Sequence, residues 1–210
     1  MGRNDASLSA IARFAALSVA LLATVSLAAQ FAVSYVEEGT GSVRATLWWM
    51  AAYFTVLTNG LVVVVFGRAA RRGAVTARSV TAVTLAIVLV ALVYHAVLSG
   101  LRQLEGLGWW ADQGLHSAVP TVVALWWLAY APKTVSRADL PSWLIWPAVY
   151  AVYAILRGVL TGFWAYPFLN ADVLGWAVVA RNVVALIAAF VVAGLGFIAV
   201  ARWIRGRSVR

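Results

Sequence analysis

Six times between Ile11 and Trp203 the chain returns to a run of roughly twenty mostly apolar residues, the length a helix needs to cross a bilayer core. The runs are approximately Ile11–Tyr35, Thr46–Gly67, Ala77–Ser99, Asp112–Ala131, Ser142–Gly162 and Val173–Trp203. The links between them are short and carry turn residues and charge: EEGTGSVR, RAARRGAVT, RQLEGLGWWA, PKTVSRADLP and FWAYPFLNAD. Nothing between them is long enough for a soluble domain. The pattern predicts one all-α polytopic membrane domain over residues 1–210, with six transmembrane helices. Composition agrees. Hydrophobic residues make up 64% of the 210 and charged residues 11%, whereas a soluble domain is about half apolar. A soluble fold of this size has too little interior to hide that surplus. Arg3 and Arg13 followed by small residues at Ala28–Ala29 also suggest a secretory signal, but the first apolar run exceeds the roughly 7–15 residues of such a segment.

There is no cysteine, which removes disulfides, thiolate catalysis and Cys-ligated clusters. The formal charge of +9 would suggest a nucleic-acid partner in a soluble chain. Here topology accounts for it, and no nucleic-acid partner is expected. Arg3, Arg13, Arg68, Arg71, Arg72, Arg78, Lys133, Arg137, Arg202, Arg205, Arg207 and Arg210 fall on one side of the predicted spans. The other side receives Arg44 and Arg102 with Glu37, Glu38 and Glu105. Basic residues mark the cytoplasmic side, so both termini are predicted to be cytoplasmic. Lys133 is the single lysine among many arginines, and with abundant Ala and Val this points to a GC-rich bacterial genome and a multi-pass protein of the plasma membrane. The pairs Trp48–Trp49, Trp109–Trp110 and Trp126–Trp127 lie near span ends and read as interfacial anchors.

Within the spans the polar residues collect at one depth. At about 1.5 Å per residue, nearly all of Gln30, Thr55, Thr58, Asn59, His95, His116, Arg157, Arg181 and Asn182 fall in the outer half, with Thr55 about nine residues inside the second span. The inner half is almost wholly aliphatic. A charge at this depth costs roughly 2.5–3.5 kcal/mol on insertion scales, so such residues face the bundle interior and serve function. Their convergence predicts a polar pocket beneath the outer headgroups. Thr58 reads as a hydrogen bond between helices. Arg181 is too deep to reach the headgroups, and Asp172 and Asp112 are its candidate partners.

The stretches YFTVLTNGLV, LHSAVP and RGVLTGFWAYPFLN, in this order, resemble the androgen-induced and androgen-dependent TFPI-regulating protein family and its bacterial six-span relatives. The resemblance implies a membrane-embedded threonine hydrolase that cleaves fatty acid esters of hydroxy fatty acids. It implies Thr55 of YFT as nucleophile and His116 of LHSAVP as the essential histidine. Pro120 follows His116 one residue sooner than in the eukaryotic pattern, and Arg157–Gly158 resembles the bacterial branch.

The residues themselves permit that chemistry. A threonine hydroxyl needs a base, and a neutral imidazole serves near pH 7. Asn59 is one turn from Thr55 on the same helical face and could donate to an oxyanion. His95, Arg157, Tyr166, Arg181 and Asn182 are the remaining candidates for binding the substrate, the arginines and Tyr166 for a carboxylate head. Membrane lipids and a lipid ester are the expected partners, no cofactor is called for, and the oligomeric state stays open. Two other classes remain. One is a non-enzymatic transporter or lipid- or anion-binding protein using Arg157 and Arg181. The other is a haem protein with His95 and His116 as axial ligands. No metal site is expected, because nothing has HExxH spacing.

Overall fold

A computed structural model describes residues 5–37, 41–100 and 103–208. Arg3, Glu38, Arg102 and Arg210, used above for the charge asymmetry, lie outside the described residues. The chain is all-α apart from one two-stranded ribbon. Among the described residues five helices are long and apolar enough to cross a membrane: Ala10–Val36, Phe54–Arg72, Ala77–Leu98, Arg137–Thr161 and Trp176–Arg207. The chain divides into two compact units, Met1–Thr134 and Val135–Arg210.

In the first unit β1 (Asp5–Ser7) leads into α1 (Ala10–Glu37), then α2 (Val43–Met50), α3 (Phe54–Arg72), β2 (Ala74–Thr76) and α4 (Ala77–Val93). A π-helical turn over Tyr94–Leu98 ends α4. Next come α5 (Gly106–Gln113), a second π-helical turn over Gly114–Ala118, and α6 (Val119–Tyr130). These last three make up the predicted fourth crossing. Asp112, Gln113, His116 and Ser117 dilute its apolar character, so it is absent from the five. Helix α1 packs along α3 and touches α5 and α6, while α4 packs on α3 and α6. Ala12, Ala16, Ala20 and Ala23 of α1 are buried, and small side chains let helices approach closely where lipid supplies no hydrophobic drive between them.

The predicted second crossing, Thr46–Gly67, is two helices. Ser42 caps α2, and tight turns from Ala52 N to Trp49 O (3.0 Å) and from Tyr53 N to Met50 O (3.1 Å) end it. Tyr53 is extended (φ −100°, ψ 127°), and α3 begins at Phe54. The Trp49 and Tyr53 rings pack at 4.8 Å across the break. No Gly or Pro marks the place, so the aromatic packing that favours it was invisible to pattern. Thr55 therefore lies in the first turn of its helix, not nine residues inside it.

Trp126 and Trp127 are not interfacial anchors. Both are buried, because each indole N–H finds a partner inside: Trp126 donates to Ala12 O at 3.0 Å and Trp127 to Thr81 Oγ1 at 2.8 Å. Phe66 meets Trp126 edge-on at 5.0 Å. Trp48, Trp109 and Trp110 are exposed. Thr81 and Thr84 are fully buried near the start of α4, so the layer predicted to be aliphatic also contains polar groups.

The link RAARRGAVT is ordered. Gly73 (φ 65°) ends α3, and β2 pairs antiparallel with β1, Asp5 opposite Thr76. Arg13 donates from Nε to Ala70 O at 2.9 Å, satisfying a carbonyl at the α3 C-terminus.

Lys133, counted among the basic residues of the cytoplasmic side, folds back onto the end of α6. Its Nζ donates to Trp127 O (2.6 Å) and Ala131 O (2.7 Å) at the end of α6 and lies 4.7 Å from the Trp127 ring centroid. The α6 C-terminus favours a cation, yet burial dominates and pushes the lysine down to about 8.

In the second unit a 3₁₀ turn (Arg137–Asp139) precedes α7 (Leu140–Thr161), which Gly162 (φ 69°) ends. A 3₁₀ turn (Pro167–Leu169) and the short α8 (Ala171–Leu174) lead to α9 (Trp176–Ser208), which packs on α7. The predicted sixth crossing thus begins at Trp176, after Gly175 (φ 75°), and not at Val173.

Lys133 sets a pH dependence. Its folded-state value lies below the ordinary 10.5, so between about pH 8 and 10.5 the unfolded chain binds more protons and stability rises with pH. The midpoint of thermal unfolding in detergent should increase from pH 8 to pH 10, and Lys133→Met should abolish that increase.

Candidate functional site

Both histidines of the chain, His95 and His116, lie in π-helical turns. Such turns are rare and recur at functional sites. The second has a local cause. Pro120 lacks an N–H, and in a regular helix its ring would strike the carbonyl four residues back, that of His116. The widened turn, closed by Val119 N on Gly114 O, relieves this clash. Gly114 also lets the turn approach α1: a Cβ there would lie 2.4 Å from Ser26 Oγ. The first π turn closes α4, with Ser99 N on Tyr94 O at 2.8 Å.

Around His116 the contacts converge. Its Nδ1 is 3.1 Å from Asp112 Oδ1 and 3.1 Å from the Asp112 main-chain oxygen. Both partners can only accept, so Nδ1 carries the proton and Nε2 of the neutral ring is the basic nitrogen. Tyr94 donates its hydroxyl to the other carboxylate oxygen, Asp112 Oδ2. The Tyr94 ring also stacks on the His116 ring, with centroids 4.0 Å apart and planes at 17°. The imidazole is thereby held in plane and in tautomer. The His116 and Asp112 side chains are only 16% and 13% exposed.

His95 is more exposed and belongs to a separate chain of hydrogen bonds. Ser117 Oγ gives its proton to Gln113 Oε1 at 2.9 Å, so the 3.1 Å contact with His95 Nε2 is a donation from the histidine. His95 Nε2 therefore carries a proton. Among the described residues no three of His, Cys, Asp and Glu come together as a metal-ligand set.

Thr55 and Asn59 are buried on α3, at 7% and 0% exposure. Asn59 Nδ2 donates to Thr55 O at 2.9 Å and to Leu115 O at 3.3 Å. Leu115 belongs to the His116 turn, so one amide ties the first turns of α3 to that π turn. With both amide hydrogens engaged, Asn59 has none left for an oxyanion. Its Oδ1 is buried and accepts from no described residue. Thr58 is fully buried.

Four predicted site residues belong to the second unit. Arg157 is buried and donates to Tyr153 Oη at 2.8 Å, with its guanidinium 5.7 Å from the Phe163 ring centroid. Tyr166 stacks on Phe168 at 5.1 Å. Asn182 donates to Phe168 O at 2.9 Å and holds the loop to α9. Arg181 is exposed and, among the described residues, reaches its neighbour Asn182 at 3.5 Å. The anticipated partner Asp172 accepts from Trp164 Nε1 at 2.7 Å instead, and Asp112 is engaged by His116 and Tyr94. Trp164 lies over Gly158, where a Cβ would come within 2.3 Å of its ring.

Sequence reasoning missed Asp112 and Tyr94 as partners of His116. The signal was present for the first: Asp112 and His116 are four apart on one helix, the spacing of a side-chain pair. An open groove of about 650 Å³ along α2, lined by Ser42, Arg44, Ala45, Leu47, Trp48 and Ala51, contains none of the predicted site residues.

The fit of Gly114 against α1 is testable. Gly114→Ala should lower stability by about 1–3 kcal/mol through overpacking, read as a reduced unfolding midpoint, and Ser26→Gly in the same chain should recover most of the loss.

No protein-family model, curated protein or solved structure matches this chain.

Proposed function

We propose that the chain crosses a bacterial plasma membrane six times with both termini cytoplasmic, and that its first unit hydrolyses a lipid ester of the fatty acid ester of hydroxy fatty acid type. The fourth crossing in this reading is Gly106–Tyr130, which carries Asp112 and His116. The observation that carries the hydrolase reading is the Asn59 bridge, which ties Thr55 to the residue before His116. The tautomer of His116 supports it: the protonated Nδ1 faces Asp112 and leaves Nε2 to act as base.

The steps follow from those roles. Thr55 Oγ attacks the ester carbonyl carbon while its proton passes to His116 Nε2. The ester C–O bond breaks, and the departing alkoxide of the hydroxy fatty acid takes that proton. Water then attacks the acyl-threonine, gives a proton to His116, and the fatty acid leaves with Thr55 reprotonated. The first-turn N–H groups of α3 at Thr55 and Val56 have no acceptor within the helix, and the helix N-terminus favours developing negative charge there. They take the oxyanion role first assigned to Asn59. These steps use residues of the first unit alone.

Thr55→Ala and His116→Ala should each lower turnover of such esters at least about 10²-fold in folded protein. A fluorophosphonate probe should label the wild type at Thr55, and labelling that survives Thr55→Ala sinks the assignment. Because the chain has no cysteine, topology is readable from single substitutions. In intact cells an impermeant maleimide should modify Ser42→Cys and spare Ser136→Cys; the reverse pattern would invert the orientation.

A further inference from the structure

We infer that Asp112 is the positioning residue of this site, holding His116 as the Nδ1–H tautomer while Tyr94 occupies the second carboxylate oxygen. The inference rests on the reading of His116 as the base. The carboxylate offers two acceptors, and both are used: Oδ1 by the His116 Nδ1–H and Oδ2 by the Tyr94 hydroxyl. An amide has one acceptor and one donor group, so it serves both partners only if the Tyr94 hydroxyl turns to accept instead of donating. With Tyr94 holding the oxygen, the amide introduced by Asp112→Asn turns its NH₂ toward His116 and donates to Nδ1. The proton then moves to Nε2, and the nitrogen that should take the Thr55 proton is blocked.

Tyr94 therefore has two effects on the ring. Its hydroxyl fixes the carboxylate, and its face packs on the imidazole. Removing the hydroxyl leaves the stack and frees one oxygen of Asp112. In an Asp112→Asn background, removing it also frees the amide to rotate and present its oxygen to His116. Tyr94→Phe should thus be mildly harmful alone and corrective in combination. A carboxylate that merely braces the fold has no reason to show this reversal. His95, the other titratable group facing Asp112, makes its own bond to Ser117 and does not compete for Asp112.

The test uses the full chain in nanodiscs with ¹⁵N-labelled histidine, where only two imidazoles contribute signals. The wild type should show His116 as Nδ1–H. Asp112→Asn should convert it mainly to Nε2–H and lower kcat by about 10²–10⁴-fold with KM nearly unchanged. Adding Tyr94→Phe should restore the Nδ1–H signal and recover kcat about tenfold or more. Asp112→Ala removes the side-chain acceptor without adding a donor and leaves only the main-chain oxygen of residue 112, so it should reduce the Nδ1–H population in part. Full retention of Nδ1–H in both Asp112→Asn and Asp112→Ala overturns the inference. If the wild type turns over no ester and Thr55 takes no probe, the hydrolase reading fails, and the tautomer signals still decide the role of Asp112.

Discussion

A polar group held between apolar helices has no water to fall back on, so its partner must come from the chain itself. Most of what distinguishes this protein from a plain helical bundle follows from that constraint. The Asp112 carboxylate is shared between Tyr94 and His116. The two buried indoles reach Ala12 and Thr81, and Lys133 turns back onto the end of α6. Each of these bonds costs little where it is made and much if it is removed, because the partner would be stranded at low dielectric. They therefore fix which helices are neighbours more strictly than apolar packing alone can.

Departures from regular helix fall where the polar cluster is densest. Pro120 forces the turn carrying His116 to widen, and Gly114 lets that turn press against Ser26. The widened turn leaves Leu115 O accessible to Asn59 on a different helix. One backbone irregularity therefore sets the position of the imidazole and also attaches it to the helix of Thr55. On α3 the break at Ala51–Tyr53 brings Thr55 to a helix N-terminus. A hydroxyl in mid-helix would lack the unsatisfied N–H groups that this position provides.

Much was legible before any coordinates. The apolar runs announced an all-α membrane chain, and the five helices long and apolar enough to cross lie on five of the six predicted runs. Asn59 and Thr55 were expected on one helical face, and the Asn59 bond to Thr55 O runs along it. The spacing of Asp112 and His116 held that pair in plain view, although Asp112 was considered only as one of two candidate partners for Arg181. Other features were not legible. The aromatic break inside Thr46–Gly67 carries no Gly or Pro. The burial of Trp126 and Trp127 depends on acceptors more than forty residues away along the chain.

By itself the sequence determined the class of the protein and which polar groups its apolar helices carry. Hydropathy over twenty residues is a local sum, and it depends on no other part of the chain. Which of those groups meet was decided only by tertiary structure. Hydrogen bonds such as Asn59 to Leu115 or Tyr94 to Asp112 act over about 3 Å between residues distant in sequence. No local sum contains that distance, and it appears only once the helices have packed.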